Sequence, residues 1–153
     1  MYYYDQDDIL KILKTVRDAG LIAPDGMLSA GVAELQKACN GIGADWMDSK
    51  SRKILTRLLK YAEATAAVHD WLYSRSDGTE PARAKADDLF LINGYREIDF
   101  KYPSLWNWRR WRAKATVTAA HTILKRIGVV AWRLVYAETK LKEEGKLKDE
   151  NAV

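Results

Sequence analysis

His69 is followed at once by Asp70, and four residues after the histidine comes Tyr73. On a helix, His69 and Tyr73 share a face, because four residues is about one turn, while Asp70 points about 100° away. The imidazole and its neighbouring carboxylate therefore cannot bond each other, and each must serve something different. A histidine acting as a base needs a carboxylate from another helix to orient its second ring nitrogen. Asp70 is then left to bind a cation beside it. The same residues also suit a histidine half-buried on an amphipathic helix with a solvated aspartate, and the motif alone leaves both readings open.

Two further features bear on that choice. Upstream lies Cys39-Asn40-Gly41-Ile42-Gly43-Ala44. Glycine at alternate positions lets a loop turn several carbonyl oxygens towards one point, and calcium takes oxygen ligands of this kind together with carboxylate. Downstream comes Ala86-Asp87-Asp88-Leu89-Phe90. Asp87 precedes two apolar positions, so one of this aspartate pair could face inward, where an unpaired carboxylate is costly; His69 is a candidate partner for it. The other histidine, His121, lies in a helical stretch with no acidic residue nearby and reads as a packed or surface histidine.

A second kind of chemistry is written into Leu105-Trp106-Asn107-Trp108-Arg109-Arg110-Trp111-Arg112. One reading makes the tryptophans core or half-core residues and the arginines a solvated face. The other makes Trp106, Trp108, Arg109, Arg110 and Arg112 a membrane or anion surface, in which tryptophan sits among lipid headgroups and arginine meets their phosphates. A nucleic-acid contact is a further possibility. From Phe100 to Tyr136 the chain carries Lys101, Lys114, Lys125, Arg126 and Arg133 besides these arginines, and no Asp or Glu. Such a run favours an anionic partner within a net charge of only +4.

The elements that must position these residues are helices. Ile9, Leu10, Ile12, Leu13 and Val16 recur at three- and four-residue intervals, with Asp5 or Asp7 as N-cap and Gly20 as the stop. Pro24-Asp25-Gly26 reads as a turn, and Ser29 as the cap of a short segment through Ala38. Ile54 to Tyr73 keeps a helical period that one helix or two would satisfy. Thr79-Glu80-Pro81 opens the helix bearing Asp87, which Gly94 is expected to end. Ser104 is expected to cap a helix towards Gly128, and a last helix to begin near Val129. No stretch alternates as a strand would. The expectation is an all-α, single-domain fold with an N-terminal helical segment over 1–37, a core over 38–136 and a charged tail over 137–153.

Composition sets the bounds. At 153 residues and 17.4 kDa the chain can bury a core without metals or staples. A hydrophobic share of 48% and a charged share of 30% are those of a globular protein. One cysteine excludes an intramolecular disulfide. The first residues show no basic region before an apolar run, and no stretch is apolar for long enough to be a membrane span, so a cytoplasmic protein is expected.

The order of glycine loop, His-Asp-x-x-Tyr helix and Ala-Asp-x-x-Phe helix resembles the phospholipase A2 superfamily, and in particular its small cysteine-poor bacterial and phage members. The similarity is best over Ala38 to Gly94 and extends loosely to Tyr136. It implies that His69 is the general base activating water against a glycerophospholipid ester, that Asp87 holds the imidazole, and that Tyr73 supports that network. It implies calcium bound by Asp70 and by backbone carbonyls of Cys39, Gly41 and Gly43, polarising the ester carbonyl. It also implies an anionic phospholipid surface as the favoured partner. The alternative is a non-enzymatic phage or prophage component that keeps the fold and binds a protein or nucleic acid. The chain departs from the secreted members in having Cys39 where they have a tyrosine, and Trp71 and Leu72 just after Asp70. The helix must then be braced by packing rather than disulfides, with the six tryptophans as the means.

Overall fold

The computed structural model describes residues 4–39 and 49–143. They form six helices: α1 (Gln6–Asp18), α2 (Asp25–Leu28), α3 (Val32–Ala38), α4 (Ser49–Ser74), α5 (Glu80–Lys101) and α6 (Trp108–Glu143). No strand occurs among the described residues, and the fold is all-α. No helix among them is long and apolar enough to cross a membrane.

Local signals account for most boundaries. Asp5 caps α1 reciprocally with Asp8, each side chain accepting from the other's backbone N–H, and Gly20 leaves the helix at φ +62°. Thr79 stands at the N-cap of α5 with Pro81 in its first turn. Three expectations change. The Pro24-Asp25-Gly26 turn opens the short α2, and Ser29 closes that helix while Gly31 precedes α3. The helix expected from Ser104 starts at Trp108, where the Asn107 side chain accepts from the Arg109 N–H at 3.0 Å.

The third change concerns the two glycines expected to break helices. Gly94 lies inside α5 and Gly128 inside a continuous α6, with no new helix beginning at Val129. Both are places of close approach rather than stops. A Cβ on Gly94 would meet a methyl of Val117 at 2.6 Å, and one on Gly128 would meet the Tyr73 hydroxyl at 2.7 Å. Gly78, in the α4–α5 turn at φ +75°, lies equally close to the Tyr136 ring. These meetings run α6 antiparallel to α5, the level of Gly94 matching Val117 and that of Arg83 and Asp87 matching Gly128.

Two of the apolar clusters among the described residues meet on α4. One gathers α1, α2 and α3 against Ala64, Ala67, Val68 and Trp71. The other joins Leu58 and Ala62 to Phe90 and Ile98 of α5 and to Val117, Ala120 and Leu124 of α6. Asn93 of α5 ties the first layer down, bonding both backbone groups of Ile22 at 2.8 Å. The described part of residues 1–37 therefore packs on α4 and α5.

Helix α4 is bent at Ala62, whose φ of −142° and ψ of 53° are not helical. A bend releases backbone groups that burial would otherwise orphan. The fully buried Glu97 of α5 receives the freed donors, the Thr65 N–H at 2.8 Å and the Ala64 N–H at 3.3 Å, and with them the Thr65 hydroxyl at 2.8 Å. Lys101, one turn further on, donates to the Tyr61 carbonyl at 3.0 Å and to Glu97 at 2.7 Å. A carboxylate at the start of a half-helix also opposes its dipole. The half-helix held in this way is the one that carries His69, Asp70 and Tyr73.

Candidate functional site

His69 and Tyr73 project from the same face of α4 towards α5, as their spacing requires. Their rings stack with centroids 4.2 Å apart, and Phe90 closes on the imidazole edge-on at 5.3 Å. His69 is 4% exposed. Trp132 of α6 packs edge-to-face on Tyr73 at 4.7 Å.

Asp87 faces this pair from α5 and is 0% exposed. Its Oδ1 lies 3.2 Å from His69 Nε2 and accepts the Tyr73 hydroxyl at 2.9 Å. Its Oδ2 accepts the Arg83 Nη1–H at 2.5 Å. Burial alone pushes the Asp87 carboxyl up. Hydrogen bonds from His69 and Tyr73, with the charges of His69 and Arg83, outweigh it and hold the group below its usual range. Tyr73 is pushed the other way, first by burial and then by the Asp87 charge, so its hydroxyl stays a donor. With Asp87 ionised, its Oδ1 accepts from Nε2–H, which orients the ring and leaves Nδ1 outside this hydrogen bond.

Sequence reasoning missed Arg83 and Gly128. Arg83 stands one turn before Asp87 on α5 and is buried; besides Asp87 it bonds Glu80, which its Nε meets at 3.1 Å. That i, i+4 spacing from Asp87 was a usable signal. Gly128 supplies the absence of a side chain that lets the Tyr73 hydroxyl, Arg83 and Asp87 meet under α6. His121 is packed, as expected, with Nε2 3.9 Å from Asp88. Burial and then Lys125 lower its pKa, and His69 and Asp87 lie within electrostatic reach.

The cation ligands implied by the resemblance are described in part. The Cys39 thiol is buried and donates to the Ala67 carbonyl on α4 at 3.4 Å. Burial, followed by the charge of Asp70, pushes that thiol up to about 12. Cys39 is therefore neutral, with its carbonyl rather than its sulfur as the oxygen-type donor, and it sits close enough to Asp70 to feel its charge. Gly41 and Gly43 lie outside the described residues. Among the described residues, no three His, Cys, Asp or Glu side chains are grouped to hold a metal ion.

The basic and aromatic segment lies elsewhere. It begins α6, beside the end of α5, and Trp108 is twenty residues before Gly128, about 30 Å along the helix axis. Trp106 is 96% exposed and so is not core, while Trp108 and Trp111 are each more than half exposed and only partly covered. Of the described tryptophans only Trp71 and Trp132 are buried, and these two brace the half-helix bearing His69. The Arg109 and Arg112 guanidiniums lie over the Trp108 ring at 5.9 and 5.8 Å. Arg110 turns away from this surface to Asp99 at 2.9 Å and the Pro103 carbonyl at 2.9 Å. No family model, curated protein or solved structure matches the chain.

Proposed function

We propose that the chain is a calcium-dependent ester hydrolase of phospholipase A2 type, acting on glycerophospholipid. The observation that carries this reading is the His69 Nε2–Asp87 Oδ1 pair at 3.2 Å, made between two helices and shared with the Tyr73 hydroxyl. A buried carboxylate that fixes one ring nitrogen leaves the other to take a proton from water. The resemblance in motif order, and the arrival of Cys39 beside Asp70, support calcium as the electrophile. In this reading Asp70 and the carbonyls of Cys39, Gly41 and Gly43 hold the ion, which supplies polarisation of the ester carbonyl. His69 moves the proton, Asp87 and Tyr73 keep its ring oriented, and no serine or cysteine nucleophile takes part. The exposed Trp106, Trp108, Arg109 and Arg112 give the molecule a face suited to anionic phospholipid.

Calcium dependence tests this directly. Fatty-acid release from phosphatidylglycerol vesicles is expected to stop in chelator and return with added calcium. Asp70→Asn is expected to raise the calcium concentration needed by at least about tenfold, since it removes the one charged ligand. Release that proceeds unchanged in chelator would overturn the reading.

One observation favours the other candidate, a non-enzymatic component that binds a protein or nucleic acid. Arg83 completes the partners of Asp87 without any ligand, so the cluster is also a self-sufficient structural network. That reading predicts no lipolysis and no calcium affinity, with Asp70→Asn silent.

A further inference from the structure

A groove runs along α6 beside Tyr95 of α5. Its floor is Ala115, Thr118, Ala119 and Thr122, and the Tyr95 and Trp111 rings wall it. Its volume is about 570 Å³, within the range of small-molecule sites. At 100° per residue this floor lies more than 100° around α6 from the buried stripe of Val117, Ala120 and Leu124. The groove is therefore separate from the histidine site.

The floor is less polar than its residue types suggest. The Thr118 hydroxyl donates to the Lys114 carbonyl at 3.0 Å, and the Thr122 hydroxyl to the Thr118 carbonyl at 3.0 Å. With the Thr118 proton committed there, the Tyr95 hydroxyl is the donor in its 2.8 Å bond to Thr118 Oγ1. Trp111 Nε1 donates to the Leu105 carbonyl at 2.8 Å. These donors are spent inside the protein, and methyl groups and ring faces are what a ligand would meet.

Lys114 is the exception. Its ammonium lies 4.9 Å over the Tyr95 ring and 5.9 Å over the Trp111 ring, which hold it in the groove. Its ion-pair partner is shared: one oxygen of Asp99 lies 2.8 Å from Lys114 and 2.9 Å from Arg110. One carboxylate between two cations leaves one positive charge over. Asp99 also keeps Arg110 when the ammonium turns to a ligand. From Lys114 to Thr122 the helix then offers about 12 Å of apolar floor with a single surplus charge at one end. A linear chain with a monoanionic head matches both features. A phosphate dianion would need a second free cation, and a helix, about 10–12 Å across, would stand mostly outside this volume. We propose that the groove binds the anion of a medium-chain fatty acid, its carboxylate on Lys114 and its chain along Ala115 to Thr122. The site does not depend on the proposed hydrolase activity.

Calorimetric titration of the full chain with dodecanoate tests this, in chelator so that no hydrolysis is expected. Saturable binding of one dodecanoate per chain is expected. Octanoate is expected to bind at least about tenfold more weakly, at about twofold for each half-covered methylene. Dodecyltrimethylammonium, with the same chain and the opposite charge, is expected not to bind saturably. Lys114→Met is expected to weaken dodecanoate about fivefold. Ala115→Trp fills the floor and is expected to weaken it at least about tenfold, with unchanged helical circular dichroism because Ala115 is exposed. Absence of saturable dodecanoate binding would overturn the proposal. So would equal affinity for the cationic amphiphile, no loss with the shorter chain, or an affinity indifferent to Lys114→Met or to Ala115→Trp.

Discussion

At the scale of single residues, one carboxylate holds the candidate site together. Asp87 is inaccessible to water, yet His69, Tyr73 and Arg83 leave it fully partnered. The first two partners were legible in the sequence, because a four-residue spacing aligns His69 with Tyr73 and an inward aspartate must find a donor. Arg83 was not recognised, since arginines usually sit in solvent and periodicity does not reveal a buried one. Acid stability depends on the same network. Asp87 is held below its usual value, so its stabilisation is present above about pH 3.9 and is lost as pH falls through its folded pKa. His121 is lowered from 6.5 by burial and Lys125. The unfolded chain therefore binds a proton that the native one refuses, and stability falls as pH drops below that value. Glu63, raised chiefly by burial, works in the opposite sense. His121→Gln is expected to flatten the melting temperature between pH 7 and 5, as followed by thermal denaturation; an unchanged slope would assign that step to another group.

At the scale of elements, composition and pattern located the helices but misjudged their ends. Gly94 and Gly128 look like stops in one dimension, and only the approach of a neighbouring helix explains why each continues. The bend at Ala62 was equally hidden, because its partner Glu97 is remote in sequence and its role is to receive donors that the bend itself creates. These positions make a sharp prediction. Alanine is the better helix former by about 1 kcal/mol, yet Gly128→Ala is expected to destabilise the protein by about 1–3 kcal/mol. Its Cβ would fall 2.7 Å from the Tyr73 hydroxyl and drive it off Asp87. Denaturant unfolding measures the change, and stabilisation would show that Tyr73 has room to move.

At the scale of the whole molecule, the all-α fold was legible in helical spacing and the absence of alternation, and the structure bears it out. What the sequence could not distribute was surface. The unbroken basic stretch reads as one cationic face, but Arg110 and Lys114 are drawn to Asp99, just outside it, and the exposed Arg109 and Arg112 at the start of α6 stand apart from the exposed Lys125, Arg126 and Arg133 further along it. The chain's modest positive charge thus conceals a local patch of Trp106, Trp108, Arg109 and Arg112, about 30 Å along α6 from the level of the histidine site. A juxtaposed arginine contributes about 1 kcal/mol to binding an anionic leaflet. Arg109→Gln and Arg112→Gln are therefore each expected to weaken phosphatidylglycerol-vesicle binding about fivefold in co-sedimentation. Undiminished vesicle binding, with affinity for DNA lost instead, would assign the patch to nucleic acid.

Proton transfer by His69 is the central claim, and His69→Gln isolates it, because the amide can still donate to Asp87 and keep the network satisfied. In a fatty-acid release assay on phosphatidylglycerol vesicles with calcium, the variant is expected to fall at least about 100-fold below the wild type, while melting within a few degrees of it. Release that survives the substitution, or a wild type that releases nothing, would contradict that role.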